Sequence, residues 1–510
     1  MPKYLPTKKS LSEHPLPAWY EDAKLGIRIT WGPFSVPGWA PVGDEIRGGF
    51  KDIQGAEWYW NSMNISGSPT RKYHEKTYGK NYSYEKFSGQ FMKSTRQWDP
   101  VQWAELFQKA GAKYVVINAK GQDGFLMWPS ENPNPLRKNY QSKRDFIGEL
   151  TRAVRQFNIE MGLYYSGGVD GTFTNSPITS SLDLLHAIPS SQDYADYVNA
   201  QWRELIDRYA PAILWNDIAF PKNAPVNKLH ADYYNKYPLG IVNDRFEQMD
   251  LDKPGTLLSA LEGRVLESKF KRVQNNQAFG AQNHFDFRTF DGEGPFKLAP
   301  QKWEAVLRMG SSFGYNQNET DADLVSTEKL VYTLIDVVSK NGNLLVNIGP
   351  RVDGTIPEIQ RERLEGLGKW LEVNGEAIYG TRTCFKAEGM TAEDIPLRLT
   401  RKDRFLYIFI MGQTLNHELN LLETYFPQKA TVEMLGYRGK LGWERQEKNI
   451  RVQLPPKRHP FPAYVLKVDL GVVLPTDPKV VRDSIKIDLS RKPRTILDWF
   501  RKKTPPEKKK

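Results

Sequence analysis

Residues 99–119 read DPVQWAELFQKAGAKYVVINA and hold one complete helix–strand unit. Asp99 and Pro100 predict a helix start: a carboxylate accepts from the free N–H groups of the first turn, and proline has no N–H to lose there. Gly111 predicts the stop, because glycine enters the left-handed conformation at no steric cost. Between them Val101, Ala104, Phe107 and Ala110 recur at helical spacing. Lys113–Ala119 then forms a short apolar run of strand length.

The same alternation continues on both sides. Gly26–Trp31, Glu160–Ser166, Ala212–Asp217, Gly240–Asp244, Phe285–Thr289, Ser311–Tyr315 and Asn343–Gly349 are further strand candidates, making eight. Helical stripes lie between them: Phe146, Leu150, Val154 and Phe157, then Tyr194, Val198, Trp202, Leu205 and Tyr209 ahead of Pro211. Alternating strands and helices imply parallel βα units with right-handed crossovers. Eight units over roughly 320 residues predict an α/β fold of the (β/α)8 barrel type. A doubly wound open sheet is the alternative, but no G-x-G-x-x-G or P-loop run supports nucleotide binding.

The pattern changes after Gly380. Phe405–Ile410, Ala430–Leu435, Ile450–Leu454 and Ala463–Val468 are short strands with Gly/Pro breaks, which predict a β-sandwich. The expected organisation is a barrel over 1–380, a sandwich over 381–474 and a basic Pro/Lys-rich tail over 475–510. The tail reads as extended or disordered, with one docked helix near Ile496–Phe500.

Charge follows this division. Lys and Arg total 71 against 60 Asp and Glu, a net of +11. Residues 478–510 alone carry twelve basic and four acidic groups, a net of +8, so the body is near neutral. The excess therefore argues for an acidic partner of the tail and against nucleic-acid binding by the barrel. A hydrophobic fraction of 39% is too high for a disordered chain. No apolar run approaches the ~20 residues of a membrane span. Met1–Pro17 has no apolar h-region, so a cytoplasmic location is the default expectation, and the sequons at Asn64, Asn81 and Asn318 read as chance matches. Cys384 is the single cysteine, and the seven histidines show no metal-ligand spacing. Neither a metal nor a cofactor is expected.

A barrel of this kind places its active site at the C-terminal ends of the strands. There the chain offers Tyr164-Tyr165-Ser166, Trp215-Asn216-Asp217, Asn243-Asp244-Arg245 and the run from Arg288 to Glu293. Carboxylates, an arginine and aromatics at one rim suit glycoside cleavage, which needs two carboxyl groups across a sugar. The same residues also suit ordinary caps and loop acceptors. Eight of the fourteen tryptophans precede residue 131, as core residues or as indole faces for a sugar ring.

At these positions the chain resembles the α-L-fucosidases of glycoside hydrolase family 29. The matching stretches are WYEDAKLGIRITWGP (19–33), EWYW (57–60), KYVV with DGFLMWPS (113–116 and 123–130), GLYYSGGVD (162–170), LWND (214–217), WE with FGYN (303–304 and 313–316), and the long run 336–380. The resemblance implies a retaining exo-glycosidase with Asp217 as nucleophile. It implies sugar contacts from Glu57, Trp58, Tyr165, Trp215 and Arg245, and an oligosaccharide or glycoconjugate as substrate. A homo-oligomer is an expected assembly.

Three departures from the family pattern stand out. A strand-one histidine, in a pattern like HWGP, is Thr30 here. Paired histidines, in a pattern like KHHDG, are Gly121 and Gln122. Thr30 and Gln122 keep hydrogen-bonding groups of different reach. The family's acid/base carboxylate follows a pattern like D-[FY]-[RK]-T-x-E, whereas 286–291 read DFRTFD, followed by Gly292 and Glu293. Asp291 holds the position but is one methylene short, Glu293 has the length two residues later, and Glu57 is a third candidate. Glu293 is favoured slightly over Asp291. Residues 247–282 read as an insertion near the rim. The alternatives to a plain fucosidase are a related α-L-glycosidase with shifted sugar specificity and a degenerate glycan binder.

Overall fold

The computed structural model describes residues 2–43, 55–174, 176–248, 283–292, 294, 298–413 and 416–473. Glu293, most of the 247–282 insertion and the 475–510 tail lie outside the described residues.

The helix–strand unit forms where its end signals stand. A helix spans Pro100–Lys109, the Asp99 carboxylate accepts from Val101 N–H at 2.9 Å, and Gly111 sits at φ +86°. The buried face is broader than the expected stripe: Trp103, Ala104, Leu106 and Phe107 are inside, while Val101 is exposed. The strand that follows is the second of eight. These are β1 Leu25–Ile29, β2 Tyr114–Lys120, β3 Glu160–Ser166, β4 Ile213–Asp217, β5 Ile241–Val242, β6 Arg288–Asp291, β7 Trp303–Arg308 and β8 Gly342–Ile348.

They form one sheet in the order β5-β4-β3-β2-β1-β8-β7-β6. Pairing is parallel from β1 through β5 and between β6 and β7. The seam between β5 and β6 is joined by a parallel bridge between Asn243 and Phe287, where Asp286 N–H donates to the Val242 carbonyl at 3.0 Å. The strand order is therefore that of a (β/α)8 barrel, with each strand beside its neighbours in sequence.

Two expected strands are displaced. The seventh is Trp303–Arg308, and Ser311–Tyr315 is a loop. Glu304 hides this strand in the sequence, because a carboxylate breaks the apolar run. In the fold it is fully buried and accepts hydrogen bonds from Tyr20, Tyr114 and Trp215. The sixth strand begins three residues later than expected, at Arg288, and Phe287 makes only the bridge to Asn243.

The chain groups into two compact units. One is built on the described residues of Met1–Glu293, Lys302–Val325 and Leu345–Glu365. The other is built on those of Gly294–Gln301, Ser326–Leu344 and Gly366–Lys510. The second unit contains two antiparallel sheets. The larger holds β9 Arg382–Met390, β10 Pro396–Lys402, β11 Phe405–Ile410, β13 Thr431–Met434, β14 Lys440–Leu441 and β17 Tyr464–Asp469. The smaller holds β12 Glu418–Leu421, β15 Trp443–Gln446 and β16 Asn449–Gln453. Leu397, Ile408, Ile410 and Leu466 from one sheet and Leu421, Ile450 and Val452 from the other share one core, which makes this a sandwich. The four expected strands fall within one residue of β11, β13, β16 and β17.

Candidate active site

Asp217 is the last residue of β4, and the chain beyond it turns sharply. Ile218 and Ala219 both sit in the left-handed region, at φ +54° and +69°. A β-branched residue there is a true outlier, and such strain costs about 1–3 kcal/mol per residue. The turn packs against Gly168, where a Cβ would lie 1.5 Å from the Ile218 carbonyl oxygen. Its consequence is local: Ile218 N–H donates to Asp217 Oδ1 at 3.0 Å.

The other contacts of Asp217 come from neighbouring strands. Arg245 Nη1 donates to Oδ1 at 2.7 Å, and the Tyr164 hydroxyl donates to Oδ2 at 2.7 Å. Arg245 extends the site further. Its Nη2 donates to Asp291 Oδ2 at 2.9 Å, and its Nε donates to Thr289 Oγ1 at 2.7 Å. Thr289 in turn donates to Asp244 Oδ1 at 2.7 Å. One guanidinium thus spans two carboxylates. Asp217 is nearly enclosed, and the Asp291 side chain is about half exposed, at 51%.

Electrostatics separates the acidic groups. Burial alone pushes Asp217 upward, but the charges of Arg245 and Arg28 and the Tyr164 hydrogen bond outweigh it and hold the carboxyl below its ordinary range. Glu57 goes the other way. Burial raises it above the usual carboxylate value against the pull of the Gly314 and Phe313 N–H groups, which both donate to Oε2 at 3.0 Å. Its Oε1 is buried and has no hydrogen-bond partner among the described residues.

The floor beneath Asp217 is aromatic and cationic. Trp215 is fully buried and its indole N–H donates to Glu304 Oε1 at 2.9 Å. Arg245 and Arg28 lie 4.8 and 5.0 Å from the Trp215 ring, and Arg28 also stands 4.3 Å from Tyr164 and 4.6 Å from Phe313. Trp215 supports the site from below, with guanidinium groups over its ring.

Other expected contacts are placed as follows. Trp58 is buried in an aromatic cluster with Phe34 and Tyr59, its ring 6.0 Å from Trp60. Thr30 donates to Asn347 Oδ1 at 2.6 Å, and Gln122 Nε2 donates to the Tyr164 hydroxyl oxygen at 2.7 Å. Tyr165 points elsewhere: its hydroxyl donates to Gln201 at 2.6 Å, on the helix Gln192–Tyr209. The strand register explains the exchange. Tyr164 pairs with Trp215 and Ser166 with Asp217, so residues 164 and 166 share the Asp217 face and 165 takes the other. Tyr164 is therefore the tyrosine at the site. Arg28 and the Phe313 and Gly314 N–H groups also escape a motif reading, since backbone donors leave no trace in side-chain patterns.

Among the described residues, His14, His284 and Asp286 could offer a cation three ligand atoms. They lie before β6, at the end of the strand away from Asp291. His14 Nδ1 lies 2.8 Å from Asp286 Oδ1, and Tyr234 O–H and Val242 N–H donate to Oδ2. These atoms already satisfy one another.

A parallel barrel that gathers carboxyl groups of opposite protonation preference at its C-terminal strand ends has the layout of a glycoside hydrolase. Residues 1–376 match the family model described as alpha-L-fucosidase, and the chain belongs to that family. It is 30% identical over 469 residues to the alpha-L-fucosidase of Dictyostelium discoideum, covering 89% of each chain. It is 31% identical over 470 residues to the human tissue alpha-L-fucosidase, covering 89% of this chain and 88% of that one. The structure of Thermotoga maritima alpha-fucosidase in complex with fucose superposes with a TM-score of 0.78 at 39% identity, covering 91% of this chain and all of the other.

Proposed function

We propose that this glycoside hydrolase is a retaining exo-α-L-fucosidase acting on oligosaccharides or glycoconjugates, with Asp217 as its nucleophile. The observation that carries the assignment is a buried carboxylate kept ionised by Arg245, Arg28 and Tyr164 at a strand end. An ionised oxygen there attacks the anomeric carbon as the glycosidic bond breaks, leaving a glycosyl ester on Asp217. Water then attacks the anomeric carbon from the face that the leaving group vacated, opposite Asp217, breaking the ester and restoring the carboxylate.

Asp291 serves as acid and base in these two steps. It shares Arg245 with Asp217 and opens to solvent, where a leaving group departs. Glu57, whose carboxyl burial raises above its ordinary value, offers its unpartnered Oε1 to a sugar hydroxyl. Glu293 is the alternative acid from sequence.

A second reading narrows the sugar. Thr30 is committed to Asn347, Gln122 to Tyr164, and Gly121 has no side chain. A site that loses three hydroxyl readers discriminates differently. A decorated fucoside, or another α-L-pyranoside with an added group beside Gly121, fits this site better than plain fucose.

The test is turnover of a panel of aryl α-L-glycosides by wild type and Asp217→Gly. Wild type turns over at least one member, and the variant loses about a thousandfold or more, as expected on removing a covalent nucleophile. No turnover by wild type, with the variant indistinguishable from it, defeats the enzyme assignment.

A further inference from the structure

We infer that Gln122 is a positioning residue for the nucleophile, acting through Tyr164, and not a reader of the sugar. The inference rests on Asp217 being the nucleophile. Gln122 follows β2 and is buried, as is Tyr164 in β3. The amide Nε2 donates to the Tyr164 oxygen at 2.7 Å, and that hydroxyl donates to Asp217 Oδ2 at 2.7 Å.

The chain of donors has one direction. An amide NH2 group can only donate, and a carboxylate can only accept. The phenol between them has a single proton. With its oxygen receiving the Gln122 N–H, that proton points at Asp217. Gln122 thereby selects one rotamer of the hydroxyl, the one that stabilises the ionised carboxylate.

The contacts also identify the oxygen involved. Asp217 Oδ1 accepts from both Arg245 and Ile218 N–H, which uses its two lone pairs. Oδ2 accepts from Tyr164 and retains a lone pair for the anomeric carbon. Gln122 therefore aims the reacting oxygen from two bonds away. The groups facing Asp217 are Arg245 after β5, with Asp291 on its other arm, Arg28 from β1 and Tyr164 from β3. Arg28 faces Glu304 of β7 in turn. These charges persist when Gln122 is changed, so a shift in Asp217 behaviour reports the lost donor.

The experiment compares Gln122→Met, Gln122→His, Tyr164→Phe and the Gln122→Met/Tyr164→Phe double variant. Methionine keeps the volume and has no donor, while histidine restores an N–H. Gln122→Met is expected to lower kcat about tenfold, the upper end of what one neutral hydrogen bond contributes, with KM within about twofold. The acidic limb of its pH profile moves upward. The double variant is no slower than Tyr164→Phe, and Gln122→His recovers most of the loss. A rise in KM with kcat and the acidic limb unchanged overturns the inference in favour of direct sugar contact. Multiplicative losses in the double variant overturn it as well. A carboxyl NMR titration of Asp217 in folded wild type and Gln122→Met gives a readout free of turnover. An unchanged Asp217 titration rejects the positioning role even if no substrate is found, whereas an upward shift with an inactive wild type leaves the positioning intact and defeats only the nucleophile assignment.

Discussion

Arg245 is shared by two carboxylates, and the sharing limits each of them. Asp217 gains an ionised, fixed oxygen from it. Asp291 is tied to the same guanidinium, and its arm is one methylene shorter than a glutamate's, which limits its reach to a leaving oxygen. Asp291→Glu is therefore expected to raise kcat/KM about tenfold on poor alkyl leaving groups and to change activated aryl substrates little, since those need little protonation. Equal effects on both, measured as the slope of rate against leaving-group pKa, would remove Asp291 from the acid role. The residues of this network differ in how they show in the sequence. Asp217 and Arg245 stand at strand ends inside recognisable runs. Sequence points to Tyr165 and the structure to its neighbour Tyr164, because Tyr-Tyr-Ser alone does not say which side of the strand faces inward. The register with β4 supplies that answer. Arg28 and Glu304 sit inside apolar runs as buried charged groups, which composition assigns to the surface.

Elements were legible where local chemistry set their ends and illegible where long-range partners did. The Pro100–Lys109 helix has its cap, its proline and its glycine in the chain order that physics requires. β7 is hidden by Glu304, whose three donors come from residues 89 or more positions away. β9 and β10 are hidden by their charges. Arg398 in β10 is almost fully buried, and its Nε donates to Asp336 Oδ1 at 2.6 Å, on the helix Thr327–Ser339. Burial pushes Asp336 upward, yet Arg398 and Lys340 outweigh it and hold the carboxyl below its ordinary range. A depressed carboxyl contributes stability above its unfolded value of about 3.9 and loses it as pH falls through the folded value. Asp336→Asn should therefore cost about 1–3 kcal/mol at pH 7, because the buried guanidinium loses one of its two carboxylate partners and keeps Glu388 at 3.2 Å. The cost should shrink as pH drops below about 3.9. Urea titrations at pH 7 and near pH 3 measure both values, and a cost independent of pH would rule out the ion pair as its source.

At the scale of the whole molecule, charge and chemistry are separated along the chain. The net charge of +11 suggests a polyanion binder, but +8 of it belongs to residues 478–510. The site in contrast is close to balanced, with Arg245 and Arg28 facing Asp217, Asp291 and Glu304. A screened tail charge has little hold on a reaction whose electrostatics is set by groups a few ångström apart, since the Debye length at physiological salt is about 8 Å. Truncation at residue 477 should therefore leave kcat/KM on a small aryl glycoside within about twofold of wild type, the size of a weak surface effect. The same truncation should lower the salt needed to elute the protein from a cation exchanger, and it should abolish any salt-sensitive gain on acidic glycoconjugates, because the lost groups are those that release counterions. A large loss on the small substrate would show instead that the tail reaches the barrel rim. In that case the departures at Thr30, Gly121 and Gln122 would be only part of what this chain has changed around its sugar.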